Sequence, residues 1–499
     1  MGPPARRRVW AARLINTALF CLAVLMCFSF LYTSLDGIVL VAAIGFVTAM
    51  RVATGATSSR RRGTRAFGWF AWLSNGAFHL FACYLAVVWG SKLGWTMAWW
   101  SSALAALLFV GAVATFRGAS HRLQIPIALP LGLVILTCML GWRREEGFAR
   151  CDDYQRARQQ RGIEVLFPPS DQLVDCNPGE AFPIRRYPRK IWESPDNRRY
   201  VITTTEPYGS PNAIEASTNV YDGLFCEISA DGSGRPRCLG GMRGKAHQVE
   251  EIEPLGQLFS CAWGLLSRDG RSTSAIYRLS RDAPLTILGE HRVDDDFIMY
   301  GFYQPKTDEY HAFTDGCGPI RTVRASDFSV LPDLPVSTCP GATVYDAERD
   351  EGVMCGGRDG FTAFRLMPWS YRLIARNGNP TRRLWLSWGC DLDLAGRKVY
   401  ATVPNLGLLA VIDYDTGRVE RTHFVGFALR SVAFDAPRQR IYLADFLGGD
   451  VLAVDASSGV EIKRWFVGHF IRELRISRDG KKLLTASNVG FVRIDLDAE

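Results

Sequence analysis

The chain has 499 residues, 48% of them hydrophobic and 22% charged, and its 58 basic against 50 acidic side chains give a formal charge of +8. Fourteen basic and three acidic residues fall at or before residue 147, leaving 44 basic and 47 acidic after it. The length exceeds what one hydrophobic core supports, and the slightly acidic remainder excludes a nucleic-acid surface argued from net charge.

Residues 1–146 read as a transmembrane domain of five helices. Apolar stretches run from Leu14 to Thr33, Gly37 to Thr54, Phe67 to Gly90, Trp95 to Phe116 and Ile125 to Trp142, each within the roughly 17–25 residues that cross a hydrocarbon core. Arg6, Arg7, Arg8 and Arg13 precede the first, Arg60, Arg61, Arg62 and Arg65 separate the second and third, and Arg117 and Arg122 separate the fourth and fifth. The positive-inside rule then puts the N-terminus in the cytoplasm and everything after the fifth stretch outside it. Arg143 and Arg144 dissent from this pattern and are followed by Glu145 and Glu146. A cleaved signal sequence over the first stretch is the alternative, and it exports the remainder equally. Asn75 and His79, four apart in the third stretch, share a helix face, and a His bonded to a neighbouring helix is the ordinary account of such a pair.

A linker rich in Arg, Gln and Pro, residues 147–187, leads into the soluble part. Its Ile163 to Phe167 segment is strand-like and is expected to complete the last sheet, which has only three strand candidates before Glu499. Residues 188–499 read as an all-β region, and its last hundred residues repeat with a period of 42. Val399-Tyr400 recurs as Ile441-Tyr442, Asp413 as Asp455, Gly417 as Gly459 and Gly426 as Gly468, while Leu392, Phe434 and Ile476 share one column. Four short alternating segments per period are the pattern of a β-propeller blade. The whole region divides into seven such units.

Nine cysteines follow residue 150. Cys226 and Cys238 flank the turn ADGSGRP and sit where a cross-strand disulfide is possible, with buried thiols as the alternative. Only 8 of the 58 basic residues are Lys and no Asn-x-Ser/Thr sequon occurs, a composition that points to a bacterial chain with its propeller in the periplasm or at the cell surface.

The segments SRDGKKLL from Ser477, VYATVPN from Val399, VIDYDTG from Val411 and AVDASSG from Ala453 resemble the repeats of YVTN-type propellers and their gluconolactonase and NHL-like relatives. The resemblance covers about the last 310 residues, most clearly from Leu384 onward. It implies a propeller fold and little about activity. The DTG of VIDYDTG lies in a turn matched by DASSG one repeat later, so it reads as a β-turn and not as a protease motif.

Aligning the innermost strands brings Arg189, Arg430 and Arg472 into one column, with His247, Met299, Gly341 and Trp388 at the same position in the other units. Arg430, Arg472, Arg189 and His247 belong to consecutive units and are expected to form a cationic arc at one mouth of the central channel, with Trp388 nearby. Arginine suits bidentate recognition of a carboxylate or phosphate. The alternative is that these arginines pair with blade acids such as Asp196 or Asp479. Asp294, Asp295 and Asp296 do not make a metal cage alone, since successive strand residues face opposite ways. Asp391 and Asp393 share a face, with Asp393 in the turn-side column of Asp435. No metal site or cofactor is expected. The composite expectation is a membrane-anchored extracytoplasmic binding module for an anionic small molecule, glycan or protein partner, and the runner-up is a metal-dependent, lactonase-like or hydrolytic propeller enzyme.

Overall fold

Alternating apolar residues recur from residue 187 to the C-terminus, and each run becomes a strand in the computed structural model. It describes residues 147–498 except 206–223, 240–244, 267–271, 295–297, 315–317, 336–341, 358–359, 375–388, 404–406 and 427. The chain divides into two units, Met1–Arg143 and Arg144–Glu499, and the account below concerns the second.

Strand β1 (Phe148–Arg150) leads into helix α1 (Cys151–Arg158), and β2 (Ile163–Phe167) and β3 (Ala181–Pro183) follow, β3 pairing with β1. Next come β4 (Tyr187–Glu193), β5 (Arg199–Thr205), β6 (Phe225–Ser229) and β7 (Arg237–Cys238), then β8 (Lys245–Ile252), β9 (Gln257–Leu266), β10 (Ser272–Ser280) and β11 (Ile287–Asp294). The third group is β12 (Ile298–Gln304), β13 (Glu309–Thr314), β14 (Ile320–Arg324) and β15 (Val330–Leu334). The fourth is β16 (Ala342–Asp346), β17 (Glu351–Gly357), β18 (Gly360–Leu366) and β19 (Trp369–Leu373). The fifth and sixth are β20 (Cys390–Asp393), β21 (Lys398–Val403), β22 (Leu408–Asp413), β23 (Val419–Phe424), and β24 (Leu429–Asp435), β25 (Arg440–Asp445), β26 (Asp450–Asp455), β27 (Glu461–Phe466). The last is β28 (Glu473–Ile476), β29 (Lys482–Ser487) and β30 (Gly490–Asp495), with β2 as its fourth strand.

This is a propeller-like arrangement, and it corrects the expected fold class in two respects. Five four-stranded sheets stand as separate blades, not seven, because β4–β7 and β8–β11 are joined into one eight-stranded sheet where Thr205 of β5 pairs with Lys245 of β8. Backbone hydrogen bonding continues across that junction, so no sheet edge separates the two groups. The expected five-helix membrane domain has no counterpart here: among the described residues the only α-helix is the eight-residue α1, and no helix is long and apolar enough to cross a membrane. The five apolar stretches themselves, with Asn75 and His79, lie outside the described residues.

Apolar side chains of adjacent sheets interdigitate to form the core. Tyr400, Leu409 and Val411 pack on Val432, Ile441 and Leu452 of the next sheet, and Val353 and Phe361 pack on Val399 and Ala401. The second strands are covered on both faces, which is why β25 is buried at five consecutive positions and reads as the near-continuous run IYLAD. Between the last sheet and the first, Phe167, Ile191, Tyr200, Ile202, Leu484 and Phe491 form one cluster, and the Tyr187 hydroxyl donates to the Phe470 carbonyl oxygen at 2.7 Å. The β2 register, Ile163 opposite Ile494 and Val165 opposite Val492, closes the edge that β30 would otherwise expose.

Helix α1 is short and depends on its neighbours. Asp152 and Asp153 lie in its first turn and Arg156 and Arg158 in its last, each sign complementing the helix dipole. The Cys151–Cys176 disulfide ties it down. Just beyond it, the Gln160 amide donates to the Phe466 carbonyl at 2.7 Å and accepts from the Phe466 N–H at 3.0 Å, which occupies part of the outer edge of β27.

The repeated turns have one chemistry. Asp413 Oδ1 accepts from the Thr416 N–H at 2.8 Å, and one repeat later Asp455 Oδ1 accepts from the Ser458 N–H at 2.8 Å. Gly417 has φ +67, and a Cβ there would lie 1.3 Å from the Ile374 carbonyl oxygen, so both conformation and close approach require glycine. Two further disulfides form, Cys226–Cys238 across β6 and β7 and Cys355–Cys390 between neighbouring sheets, while Cys261 is a buried free thiol.

Phe167 is fully buried at the closing sheet, so Phe167→Ala is expected to cost about 3–5 kcal/mol, against less than about 0.5 kcal/mol for the exposed Val330→Ala. Chemical denaturation monitored by fluorescence measures both. Non-reducing peptide mapping is expected to recover the 151–176, 226–238 and 355–390 cross-links.

Candidate functional site

The innermost strands β4, β8, β12, β16, β20, β24 and β28 follow one another around a cavity of about 380 Å³. A ladder in perfect register would keep their side chains between the sheets. Bulges break it beside the cavity: the register shifts between Pro188 and Lys190, between Ala246 and Val249, and between Leu429 and Val432. The residues left unpaired include Arg189, His247 and Arg430. Bulges re-aim side chains in this way next to functional sites. Arg472 precedes β28, and its N–H donates to the Ala486 carbonyl at 2.7 Å. Two positions before Arg430 and Arg472, Ala428 and Phe470 each hold φ 60, a left-handed kink that turns the chain into the inner strand.

Arg189, His247, Arg430 and Arg472 all line this cavity. The Arg430 and Arg472 guanidinium groups stack on the Phe446 ring at 4.8 and 5.0 Å, which puts them within about 10 Å of each other. Arg472 also lies 5.5 Å from the Tyr187 ring. Burial pushes the Arg472 guanidinium down to about 9, still cationic at neutral pH. Tyr187 and His247 both feel Arg189 and Arg430, so the two cations flank the same pair of groups. Arg189, 6% exposed, makes no ion pair with any of the described residues. Asp196 and Asp479, which the sequence offers as structural partners, accept instead from Ser194 and Ser477 within their own turns, at 2.6 Å each.

His247 acts as a neutral donor. The Trp263 indole N–H donates to its Nε2, and because indole nitrogen only donates, the imidazole proton must sit on Nδ1. That Nδ1 is fully buried and has no hydrogen-bond partner among the described residues. Burial first, then Arg189, Lys190, Lys245 and Arg430, hold the imidazole well below its usual value. Three guanidinium groups and a neutral imidazole therefore gather on consecutive inner strands of the cavity lining.

The rest of the wall is internally satisfied. Lys190 pairs with Glu473, and Arg475 donates to the Ile191 carbonyl at 3.1 Å. Asp391, pushed up to about 6 by burial, accepts from the Leu392 and Phe434 N–H groups at 2.9 and 2.7 Å and so joins β20 to β24. Asp393 accepts from the Gly396 N–H in its own turn. Burial likewise raises Glu250 to about 7, opposed by Arg475 and a hydrogen bond from Gln248. Gly389 fits only as glycine, because a Cβ would lie 2.0 Å from the Arg430 carbonyl oxygen.

Of the aligned column, Met299 is replaced in the cavity wall by Tyr300, since a bulge between Ile298 and Tyr300 advances the register by one. Trp388 and Gly341 lie outside the described residues, as do Asp295 and Asp296, with Asp294 ending β11. Sequence reasoning missed Phe446, Trp263 and Glu250; the only available signal was their place beside the inner strands, since none belongs to the repeated column. Among the described residues no group of three or more His, Cys, Asp or Glu is placed to hold a metal ion.

Gly389→Ala is expected to displace the β24 backbone at Arg430 and to cost about 1–3 kcal/mol by overpacking, read from the denaturation midpoint. The raised Glu250 carboxyl stabilises the fold below its ordinary value of 4.5, and this contribution is lost as pH rises through about 7. His247 has the opposite slope, losing stability as pH falls below 6.5. Glu250→Gln is therefore expected to remove a stability decrease between pH 4.5 and 7, measured as the difference from the native protein in urea titrations across that range.

No family model matches the chain, and no curated protein sequence matches it.

Proposed function

We propose that this chain is a binding module that captures an anionic small molecule at the mouth of its propeller cavity. The observation carrying the reading is the gathering of Arg189, Arg430 and Arg472 on consecutive inner strands in the cavity lining, where Arg189 makes no ion pair with any of the described residues. Groups of this kind, held in a partly dehydrated cavity, favour a carboxylate or phosphate through charge-assisted hydrogen bonds. A volume of about 380 Å³ is within the range of small-molecule sites. The likeness of the repeats to YVTN-type propellers is compatible with this use, since that pattern specifies a scaffold and leaves the site to individual residues.

The reading includes location outside the cytoplasm, at the cell membrane, with a periplasmic or extracellular propeller. The three disulfides among the described residues support an oxidising compartment. The hydropathy and Arg distribution of residues 1–146 support membrane association with a cytoplasmic N-terminus.

Calorimetric titration of the purified full-length protein with mono- and dicarboxylates and inorganic phosphate tests the proposal. At least one anion is expected to bind, and Arg189→Gln is expected to weaken it about tenfold or more, the worth of one charge-assisted bond. Binding of neutral analogues only, or an affinity unchanged by Arg189→Gln and Arg430→Gln together, would refute it.

A further inference from the structure

Helix α1 meets the loop between β27 and β28 at a pair of titratable side chains. Asp153, in the first turn of α1, has its Oδ2 3.7 Å from Nε2 of His469, with 16% of the Asp side chain and 26% of the His side chain exposed. The other imidazole nitrogen fixes the proton. Nδ1 lies 2.6 Å from the Leu447 carbonyl oxygen, and a carbonyl only accepts, so Nδ1 carries hydrogen and a neutral ring leaves a lone pair on Nε2. Facing that lone pair is Oδ2, a buried atom with no hydrogen-bond partner among the described residues.

Two acceptors therefore oppose each other when His469 is neutral and Asp153 is ionised. One proton removes the conflict from either side. On Nε2 it makes an imidazolium–carboxylate pair, and on Oδ2 it makes an O–H that donates to the imidazole. Closing the 3.7 Å separation to a charge-assisted length of about 2.8 Å takes a movement of roughly 1 Å.

The groups packed around the pair do not supply that proton. Burial holds the Asp153 carboxyl above its ordinary value of 3.8, against the pull of His469, Arg150 and Arg156 and with a smaller push from Asp152. Arg156 stacks on the Phe466 ring at 3.8 Å, and Asp152 accepts from the Gly179 N–H at 3.0 Å. On the loop side His469 packs against the Phe466 and Phe470 rings, with centroids 5.5 and 6.3 Å away, and these bring no charge. A carboxyl raised in the folded state stabilises docking below its ordinary value, and that contribution is lost as pH rises through the folded value. A proton on Nε2 acts in the same direction, because it turns repulsion into attraction.

We propose that Asp153 and His469 form a proton-operated latch, which holds α1 on the β27–β28 loop more tightly as the medium acidifies. The latch secures the entry to the closing strand. From α1 the chain runs through Gln160, which bonds in both directions to Phe466, into β2 and its pairing with β30. The Cys151–Cys176 link keeps the start of the helix tethered when the latch is open. This device is independent of the cavity and of what the cavity binds.

Amide hydrogen exchange of residues 152–158 in the full-length protein tests the latch, each rate corrected for its intrinsic pH dependence and referred to the amides of β25. Protection is expected to rise about tenfold from about pH 8 to about pH 5, the worth of one charge-assisted hydrogen bond. Asp153→Asn keeps the shape of the side chain and offers Nε2 an amide donor at every pH. Its α1 should be as well protected at the upper pH as the native helix is at the lower one, with no pH dependence. His469→Gln removes the titrating ring and should also give a flat profile, which keeps the test decisive if one variant fails to fold. Native protection that does not change with pH, or a change that survives in either variant, overturns the proposal.

Discussion

The pairing of β2 with β30 is the contact on which the rest of this unit depends. Ile163, Val165 and Phe167 lie opposite Ile494, Val492 and Phe491, so a strand from the start of the unit completes the sheet at its end. Without it β30 would offer an unpaired edge, and Phe167 would not join the cluster linking the last sheet to Ile191, Tyr200 and Ile202 of the first. Every inner strand is positioned by the sheets on its two sides, so the geometry of the cavity follows from this closure. Gln160 and the Cys151–Cys176 link secure the segment that leads into β2.

Regular pairing and cavity chemistry oppose each other along the inner strands. A side chain in register is packed between sheets, whereas one in a bulge is released toward the axis. The bulges at Arg189, at His247 and at Arg430 give up ladder hydrogen bonds at the positions where polar groups reach the cavity. Close packing elsewhere makes this sustainable: Phe446 supports two guanidinium groups on its ring, and Gly389 lets the β24 backbone come near.

Charge in the cavity is arranged by depth of commitment. Glu473, Asp391 and Arg475 are engaged with Lys190 or with backbone groups and hold neighbouring strands together. Arg189 and His247 Nδ1 have no such duty among the described residues. Burial raises Glu250 and depresses His247, so near neutrality the cavity lining holds an uncharged imidazole and a carboxyl that titrates in the physiological range.

The 42-residue period by itself determined the propeller, its turns and the strand at Ile163 to Phe167, because a blade's alternation and its Asp and Gly turns are local properties that repeat visibly. It also brought Arg189, Arg430 and Arg472 into one column. Local pattern did not reach the number of separate sheets, since one residue pair, Thr205 with Lys245, merges two of them. Nor did it reach Tyr300 in place of Met299, because a bulge changes register without altering composition. Partnerships were decided by tertiary structure alone: Trp263 fixing the tautomer of His247, and Phe446 beneath two arginines. Which donors remain unsatisfied depends on residues far apart in the chain, and no repeat carries that information.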